Sequence, residues 1–468
     1  MGTRIPVAER MNSKDLQRWQ QLDREHFLHP FTDHRELGLR GTRVITGAEG
    51  AYLLDANGQR LLDAMSGLWC VNLGYGRQEL VAAATHQLQT LPYYNSFFQC
   101  THPPAIELAA ELCAIAPPGF NRVFFTNSGS EANDTVIRLV RYYWSLLGKP
   151  DRQVIIARRN AYHGSTVGAA SLCGMPWMHA QAGLPIPGIV HIEEPYWFGQ
   201  HDIEDPDEFG LQVARRLAAS IEKIGVDKVA AFIAEPVQGA GGAIIPPASY
   251  WPEIQRICDA YGILLVADEV ITGFGRLGQW FGSQHFGIRP DLMSFAKGVT
   301  CGYQPLGGVL VGDRVAEVLV AKGGEFFHGF TYSGHPVACA VARANLQVLR
   351  EERIIEHLAA SLIPAFSSRW QKLGSHPLVG EARSVGLIGA LELVGNKTGR
   401  QRFPKELKAG ERCRDFCIEQ GLVMRAVGDT MIVAPPFILS EAQLDELVDK
   451  AWKALDLTQQ ALGAAAGA

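Results

Sequence analysis

The sequence has no long apolar run, no dense stretch of Lys or Arg, and no cysteine pair at CxxC spacing. No apolar segment reaches the roughly 20 residues that a membrane-spanning helix needs, and the N-terminus carries no apolar stretch that would serve as a signal peptide. With no basic run and a formal net charge of -5, the chain offers nothing that reads as a nucleic-acid surface. Its nine cysteines, Cys70, Cys100, Cys113, Cys173, Cys258, Cys301, Cys339, Cys413 and Cys417, are odd in number and scattered. Cys413 and Cys417 would share a helix face, but no histidine follows at zinc-finger spacing. The expectation is free thiols in a reducing compartment, no metal site, no membrane or nucleic-acid partner, and a cytoplasmic location. Glycine, by contrast, is plentiful at 49 residues, which points to many tight turns and close backbone approaches. Apolar residues at 47% and charged residues at 19% describe an ordinary globular chain, and 468 residues exceed one simple core.

Along the chain, residues 14–28 read as an amphipathic helix. Residues 43–63 alternate and turn at Asn57-Gly58 like a hairpin. Whether residues 1–10, ahead of Met11, belong to the native chain stays open on sequence alone. From about residue 78, helical stretches alternate with short unbroken apolar runs at 122–126, 153–157, 188–192, 229–234, 262–267, 292–296 and 307–312. Runs without alternation suit strands buried on both faces, and their alternation with helices predicts a mostly parallel sheet in an α/β domain. Residues 335–374 read as a long helix or helix pair. The remainder mixes strands at 386–394 and 431–436 with helices, as a smaller α+β domain would. The last residues, "ALGAAAGA", read as a frayed tail. The expected division is an N-terminal segment (1–75) that joins the small domain, a large domain (76–340) and a C-terminal small domain (341–468).

Three stretches carry the chemistry. In "RVFFTNSGSEAND" a strand ends at Thr126, and the small-residue turn Ser128-Gly129-Ser130 opens a helix. Backbone N–H groups at a helix N-terminus, with two hydroxyls, form an anion cradle. The stretch has neither P-loop nor GxGxxG spacing, so nucleotide fingerprints are excluded; alone it reads as well as a Ser-capped strand-to-helix turn. In "GILLVADEVITGFGR" an apolar strand delivers Asp268 and Glu269 at its C-terminal end, where ligands of open α/β sheets sit. A carboxylate there can pair with a cationic ring nitrogen, or it can merely cap a turn. In "DLMSFAKGVTCGYQPLGG" Lys297 directly follows a buried strand. A desolvated lysine has a lowered pKa and makes a nucleophilic amine suited to a Schiff base, although a snorkelling side chain is the plainer alternative. Tyr162 and His163 in "RNAYHGST", Glu235 before the Gly-rich "PVQGAGG", and Thr331 in "HGFTYSGHP" complete the set.

Taken in order, SGSEAND, YHG, EPVQGAGG, DEVITGFGR, AKG and HGFTYSGHP strongly resemble the class III, or omega, aminotransferases. The resemblance covers about residues 16 to 455 and is nearest to the pyruvate-dependent amine and polyamine aminotransferases. It implies a fold type I pyridoxal-phosphate-dependent transferase: a large, mostly parallel seven-stranded sheet domain plus a smaller α+β domain. By resemblance, Lys297 would hold pyridoxal 5'-phosphate as a Schiff base and shuttle the proton, and Asp268 would pair with the pyridine nitrogen. Tyr162 would stack on the ring with Val270 on its other face. Ser128, Gly129 and Ser130 would hold the phosphate. His163 and Glu235 would lie against the cofactor, Glu235 on its hydroxyl side. Thr331 would reach the phosphate of the neighbouring subunit of a homodimer or tetramer whose sites form at the dimer interface. Leu68, Trp69, Phe97, Phe31 and Ala240 would line the substrate pocket, and Arg425 would bind a substrate carboxylate and swing away for an uncharged amine. Two departures from the commoner motifs, Ala161 and Thr272, touch none of these roles. The implied reaction moves an amino group from a primary amine, diamine or omega-amino acid to pyruvate by a ping-pong route. A same-fold aminomutase or decarboxylating transaminase remains the alternative at this point.

Overall fold

The computed structural model describes residues 13–200 and 203–466; residues 1–10, left open above, lie outside them. The first helix covers Ser13–His26, two residues shorter at its C-terminal end than the sequence pattern suggests. Three short strands follow: β1 (Ile45–Glu49), β2 (Tyr52–Asp55) and β3 (Arg60–Asp63), antiparallel in sequence, with Gly58 at φ 80° in the tight turn.

The seven apolar runs become β4 (Phe120–Thr126), β5 (Val154–Arg158), β6 (Ile189–Ile192), β7 (Val229–Ala234), β8 (Leu264–Asp268), β9 (Leu292–Phe295) and β10 (Gly307–Gly312). They form one sheet in the order β4-β10-β9-β8-β7-β5-β6. Only β10 runs antiparallel to its neighbours; the other pairs are parallel. Every residue of β7, β8, β9 and β10 is buried, which is why these runs do not alternate. Their two faces feed two different cores. Ala231, Ile233 and Val266 pack with Val136 and Val140 of the helix Gly129–Leu146. Phe232, Ala234 and Leu265 pack with Ile221 and Ile254 on the opposite side. Burying one such side chain contributes about 1.5–3 kcal/mol. The covered sheet thus gives a rigid platform whose strand ends carry Thr126, Asp268 and, one residue beyond Ala296, Lys297.

The segment 335–374 is a helix pair. Pro336–Glu351 ends where Arg353 takes φ 51°, and a second helical run covers Ile354–Lys372 with a π-helical turn at Leu358–Leu362. Beyond it, β11 (Val379–Val385) and β12 (Ile388–Leu393) precede the two-residue β13 (Leu422–Val423), then β14 (Arg425–Val427) and β15 (Thr430–Val433). The sheet order is β11-β12-β15-β14, while β13 pairs in parallel with β3. Leu62 and Leu73 accordingly share a core cluster with Leu391, Leu422 and Leu447. The segment around β3 thus packs against elements from the C-terminal part of the chain. The tail is a correction in part: the last helix runs Glu441–Ala466, so residues 461–466 of "ALGAAAGA" continue a helix, while residues 467 and 468 lie outside the described residues. Among the described residues, no helix is long and apolar enough to cross a membrane. Among the same residues, no group of three or more His, Cys, Asp or Glu is placed to hold a metal.

Candidate active site

A cavity of about 390 Å³ opens at the carboxyl ends of the central strands. Ser128, Gly129, Ser130, Tyr162, His163, Glu235, Asp268, Val270, Lys297 and Leu68 all line it. Residues from Ser128 to Lys297 meet here because β4, β5, β7, β8 and β9 end on the same edge, and Leu68 joins them from the segment after β3.

Ser128 caps the helix Gly129–Leu146, its Oγ accepting from the Glu131 N–H at 3.2 Å. The first intrahelical bond runs from the Ala132 N–H to the Ser128 carbonyl at 3.0 Å, so the N–H groups of Gly129 and Ser130, two residues that line the cavity, are left for an anion. The cradle is tightly built. A Cβ on Gly129 would lie 3.0 Å from Val270, and one on Gly164 would lie 2.5 Å from Ser130 Oγ. Ser130 Oγ in turn accepts from the Ser165 N–H at 3.0 Å, joining the cradle to the loop that carries Tyr162.

Asp268 is almost fully buried at the end of β8. Its Oδ2 accepts from His163 Nδ1 and from Asn133 Nδ2, each at 2.7 Å. Asn133 Nδ2 also donates to the His163 carbonyl at 2.7 Å. Oδ1 accepts only from the Val270 N–H, at 3.1 Å. One oxygen is therefore saturated and the other keeps a free lone pair towards the cavity. Asn133 is a residue that sequence reasoning missed. Its signal was its place one helical turn from Gly129 and Ser130, on the face that bears the cradle.

Lys297 follows β9 in the left-handed region, at φ 46°, where a non-glycine residue is strained. Burial pushes its amine below the usual lysine range; the carboxylates of Asp268 and Glu235 and the Cys70 thiol oppose that shift, and Arg425 adds to it. Glu235 is held by the Tyr162 N–H and the Gly239 N–H, both at 3.0 Å, and burial raises its carboxyl. Tyr162 presents its ring to the cavity, with its Oη 3.1 Å from Ser165 Oγ. Phe31 from the N-terminal segment meets that ring edge-on at 6.2 Å, as it does the ring of Trp177.

Other expected residues lie elsewhere. Trp69 does not line the cavity: it is buried with Met65, Val237 and Ile271. The reason is local, because Ser66, Gly67 and Trp69 all take positive φ, a twist that leaves Leu68 at the cavity and turns Trp69 into the core. Ala240 is likewise buried behind the cavity, in the loop that holds Glu235. Arg425 lies on β14 with its charge felt at both Tyr162 and Lys297, and burial lowers its own pKa. Its side chain has no ion-pair or hydrogen-bond partner among the described residues. Phe97 packs against Gly329, and Thr331 is exposed with its carbonyl accepting from Tyr93 Oη at 2.7 Å; neither faces the cavity of its own chain. Cys70, Thr300 and Gln304 line the cavity without having been singled out.

The donor set fits a flat, phosphorylated aldehyde with a basic ring nitrogen. The cradle takes the anion, the free Asp268 Oδ1 takes a ring N–H, Tyr162 offers a face, and the desolvated Lys297 amine takes the carbonyl. Comparison with known proteins gives a consistent neighbourhood. Residues 38–455 match the family described as aminotransferase class-III. The putrescine–pyruvate aminotransferase of Pseudomonas aeruginosa is 57% identical over 444 residues, 95% of this chain and 97% of that protein. The vanillin aminotransferase of Capsicum chinense is 44% identical over 422 residues, 89% of this chain and 92% of that one. Among solved structures, the omega transaminase from Pseudomonas jessenii in complex with PMP superimposes with a TM-score of 0.93 at 42% identity, covering 95% of this chain and 99% of that chain.

Proposed function

We infer that this chain, which belongs to the class-III aminotransferases and uses pyridoxal phosphate, takes an amino group from a primary amine, diamine or omega-amino acid and hands it to pyruvate. The single observation that carries the chemistry is the meeting of Lys297, Asp268, Tyr162 and the helix N-terminus at Ser128–Ser130 in one cavity. The 57% identity to a putrescine–pyruvate aminotransferase supports the choice of amine donor and acceptor.

When bound, the cofactor supplies a carbonyl that takes up the amino group and a pyridinium ring that draws electrons from the adjoining carbon. The chain's residues do the rest. The Lys297 amine, neutral more readily than an exposed lysine, would hold the cofactor's carbonyl carbon and carry the proton on Nζ. Asp268 would pair with the ring nitrogen, its carboxylate held in place by His163 and Asn133. The N–H groups at Gly129 and Ser130 and the two serine hydroxyls would hold the phosphate. Tyr162 and Val270 would sandwich the ring, and Glu235 would sit at its hydroxyl edge. Arg425, free of a carboxylate partner, would receive the carboxylate of pyruvate in a bidentate fork. Leu68, Phe31, Phe97, Ala240 and the buried Trp69 would shape the pocket for the donor's alkyl or aryl body.

Thr331 and Phe97 serve their roles only in a second copy. Thr331 is exposed and Phe97 half-buried, and near them in sequence Tyr93, Tyr94, Phe98, Phe327 and Tyr332 are exposed, apolar surface that supports a homodimer with shared sites. All nine cysteines are free, which supports a reducing, cytoplasmic setting. The test is Lys297→Ala. The purified variant should lack any borohydride-reducible adduct with pyridoxal phosphate and should not turn over amine and pyruvate. An undiminished adduct in that variant would overturn the assignment.

A further inference from the structure

The loop between the helices Asp313–Lys322 and Pro336–Glu351 carries Thr331 and has no regular structure of its own. His328, in its middle, is pinned from several sides. Its ring stacks on Phe124, with centroids 5.4 Å apart and planes 9° apart, and meets Phe330 edge-on at 5.1 Å. Nε2 lies 2.8 Å from Thr135 Oγ1, and Nδ1 lies 3.0 Å from Arg138 Nη1.

These contacts fix the tautomer. A guanidinium only donates, so Nδ1 accepts and carries no proton. The ring is therefore neutral and carries its proton on Nε2, which donates to Thr135 Oγ1. The Thr135 hydroxyl donates onward to the Glu131 carbonyl at 2.8 Å. Arg138 Nη2 also donates to the Phe327 carbonyl at 2.8 Å. Burial and the neighbouring Arg138 push His328 down to about 4, in keeping with a neutral ring at physiological pH. Stacking alone would let the loop slide across Phe124; two directional hydrogen bonds on opposite ring nitrogens do not. Thr135 and Arg138 sit three residues apart on one face of the helix Gly129–Leu146, whose first turn is the phosphate cradle.

We propose that His328 is a positioning residue: it latches the loop bearing Thr331 to the helix that begins at the phosphate cradle, so that one site's cradle and the loop offered to the neighbouring copy's site move as one body. The proposal rests on the reading that Thr331 serves the phosphate held by a second copy. Its consequence is mechanical coupling. Loosening the latch in one copy releases the phosphate contact in the other, and cofactor retention falls although no cofactor-touching residue has changed.

The experiment follows cofactor release from the holoenzyme by absorbance after dilution, and amide hydrogen exchange of residues 324–335 in the cofactor-free chain. Four variants are compared. His328→Phe keeps the stacking and loses both hydrogen bonds; Thr135→Val removes only the acceptor on the helix. His328→Gln offers an amide oxygen to Arg138 and an amide N–H to Thr135. Thr331→Ala removes the hydroxyl that the latch is said to position. The expected result is that Thr135→Val speeds release roughly fivefold to tenfold, the loss of about one net hydrogen bond, and that His328→Phe, which loses two, speeds it at least as much. Both should also raise exchange in the loop, and His328→Gln should restore much of the retention. Thr331→Ala should speed release without raising exchange. If Thr331→Ala speeds release while His328→Phe and Thr135→Val leave release and exchange unchanged, the latch is wrong. If Thr331→Ala leaves release unchanged, the reading of Thr331 itself fails, whatever the latch variants do.

Discussion

Asn133 shows how much of a site can rest on a residue that touches no ligand. Its amide nitrogen spans the His163 carbonyl and Asp268 Oδ2, fixing the distance between the loop that bears the stacking tyrosine and the carboxylate meant for the ring nitrogen. A hydrogen bond to a charged acceptor is worth about 1.5–3 kcal/mol. Asn133→Leu, close in volume, should therefore lower kcat/KM roughly tenfold to a hundredfold, with a changed visible spectrum of the bound cofactor. Steady-state kinetics with an absorbance scan would check this. Individual residues were unequally legible from sequence. Lys297, Asp268 and the Ser128-Gly129-Ser130 turn stood out because each follows an apolar run, and strand ends are where open sheets bind ligands. Asn133 did not stand out, because a polar residue in the first turns of a helix has many ordinary explanations. Leu68 and Trp69 could not be told apart either. Which of two adjacent side chains faces a cavity depends here on a left-handed stretch of backbone at Ser66, Gly67 and Trp69 that no hydrophobic pattern reports.

At the scale of elements, the site is a meeting of strand ends with the loops that follow them. The loop after β5 passes the cradle helix so closely that Gly164, at φ 137°, has no room for a side chain beside Ser130. Gly164→Ala combines an unfavourable dihedral with a clash against backbone, at about 1–3 kcal/mol. It should lower the melting temperature and weaken cofactor binding together, because the atom displaced is part of the cradle. A calorimetric scan and a cofactor titration would show whether both fall. The seven strands of the large sheet were legible, since unbroken apolar runs separated by helices have few other readings. The small-domain strands were legible only in part: β12 and β15 lie in the runs read at 386–394 and 431–436, whereas β11, β13 and β14 were not read. The parallel pairing of β13 with β3 joins Leu422 to Leu62, 360 residues apart, across two elements too short to carry a pattern. In the same way Arg383, on β11, donates to the carbonyls of Gly242 and Ala243 and ion-pairs with the buried Glu392. It thereby steadies the loop that holds Glu235, a long-range tie that exists only once both sheets are built.

For the whole molecule, the reading requires a second copy. Phe98 and Phe327 are 89% and 77% exposed, an unfavourable state for large apolar rings that a partner surface would relieve. The double substitution Phe98→Asp with Phe327→Asp should give a monomer by sedimentation and remove most of the activity, because Thr331 and Phe97 would then serve no site. A variant that stays dimeric, or a fully active monomer, would count against shared sites. In the proposed reading the Lys297 amine, the Asp268 carboxylate and the cradle would exchange an amino group, and that exchange can be watched in one half at a time. The most direct test mixes the pyridoxal-phosphate-loaded enzyme with putrescine and no oxo acid. The account predicts one equivalent of amino-aldehyde per site and conversion of the cofactor to its amine form. Pyruvate added afterwards should restore the original spectrum and yield one alanine per site. Release of carbon dioxide from an amino-acid donor in place of that exchange, or consumption of putrescine with no spectral change and no alanine, would contradict it.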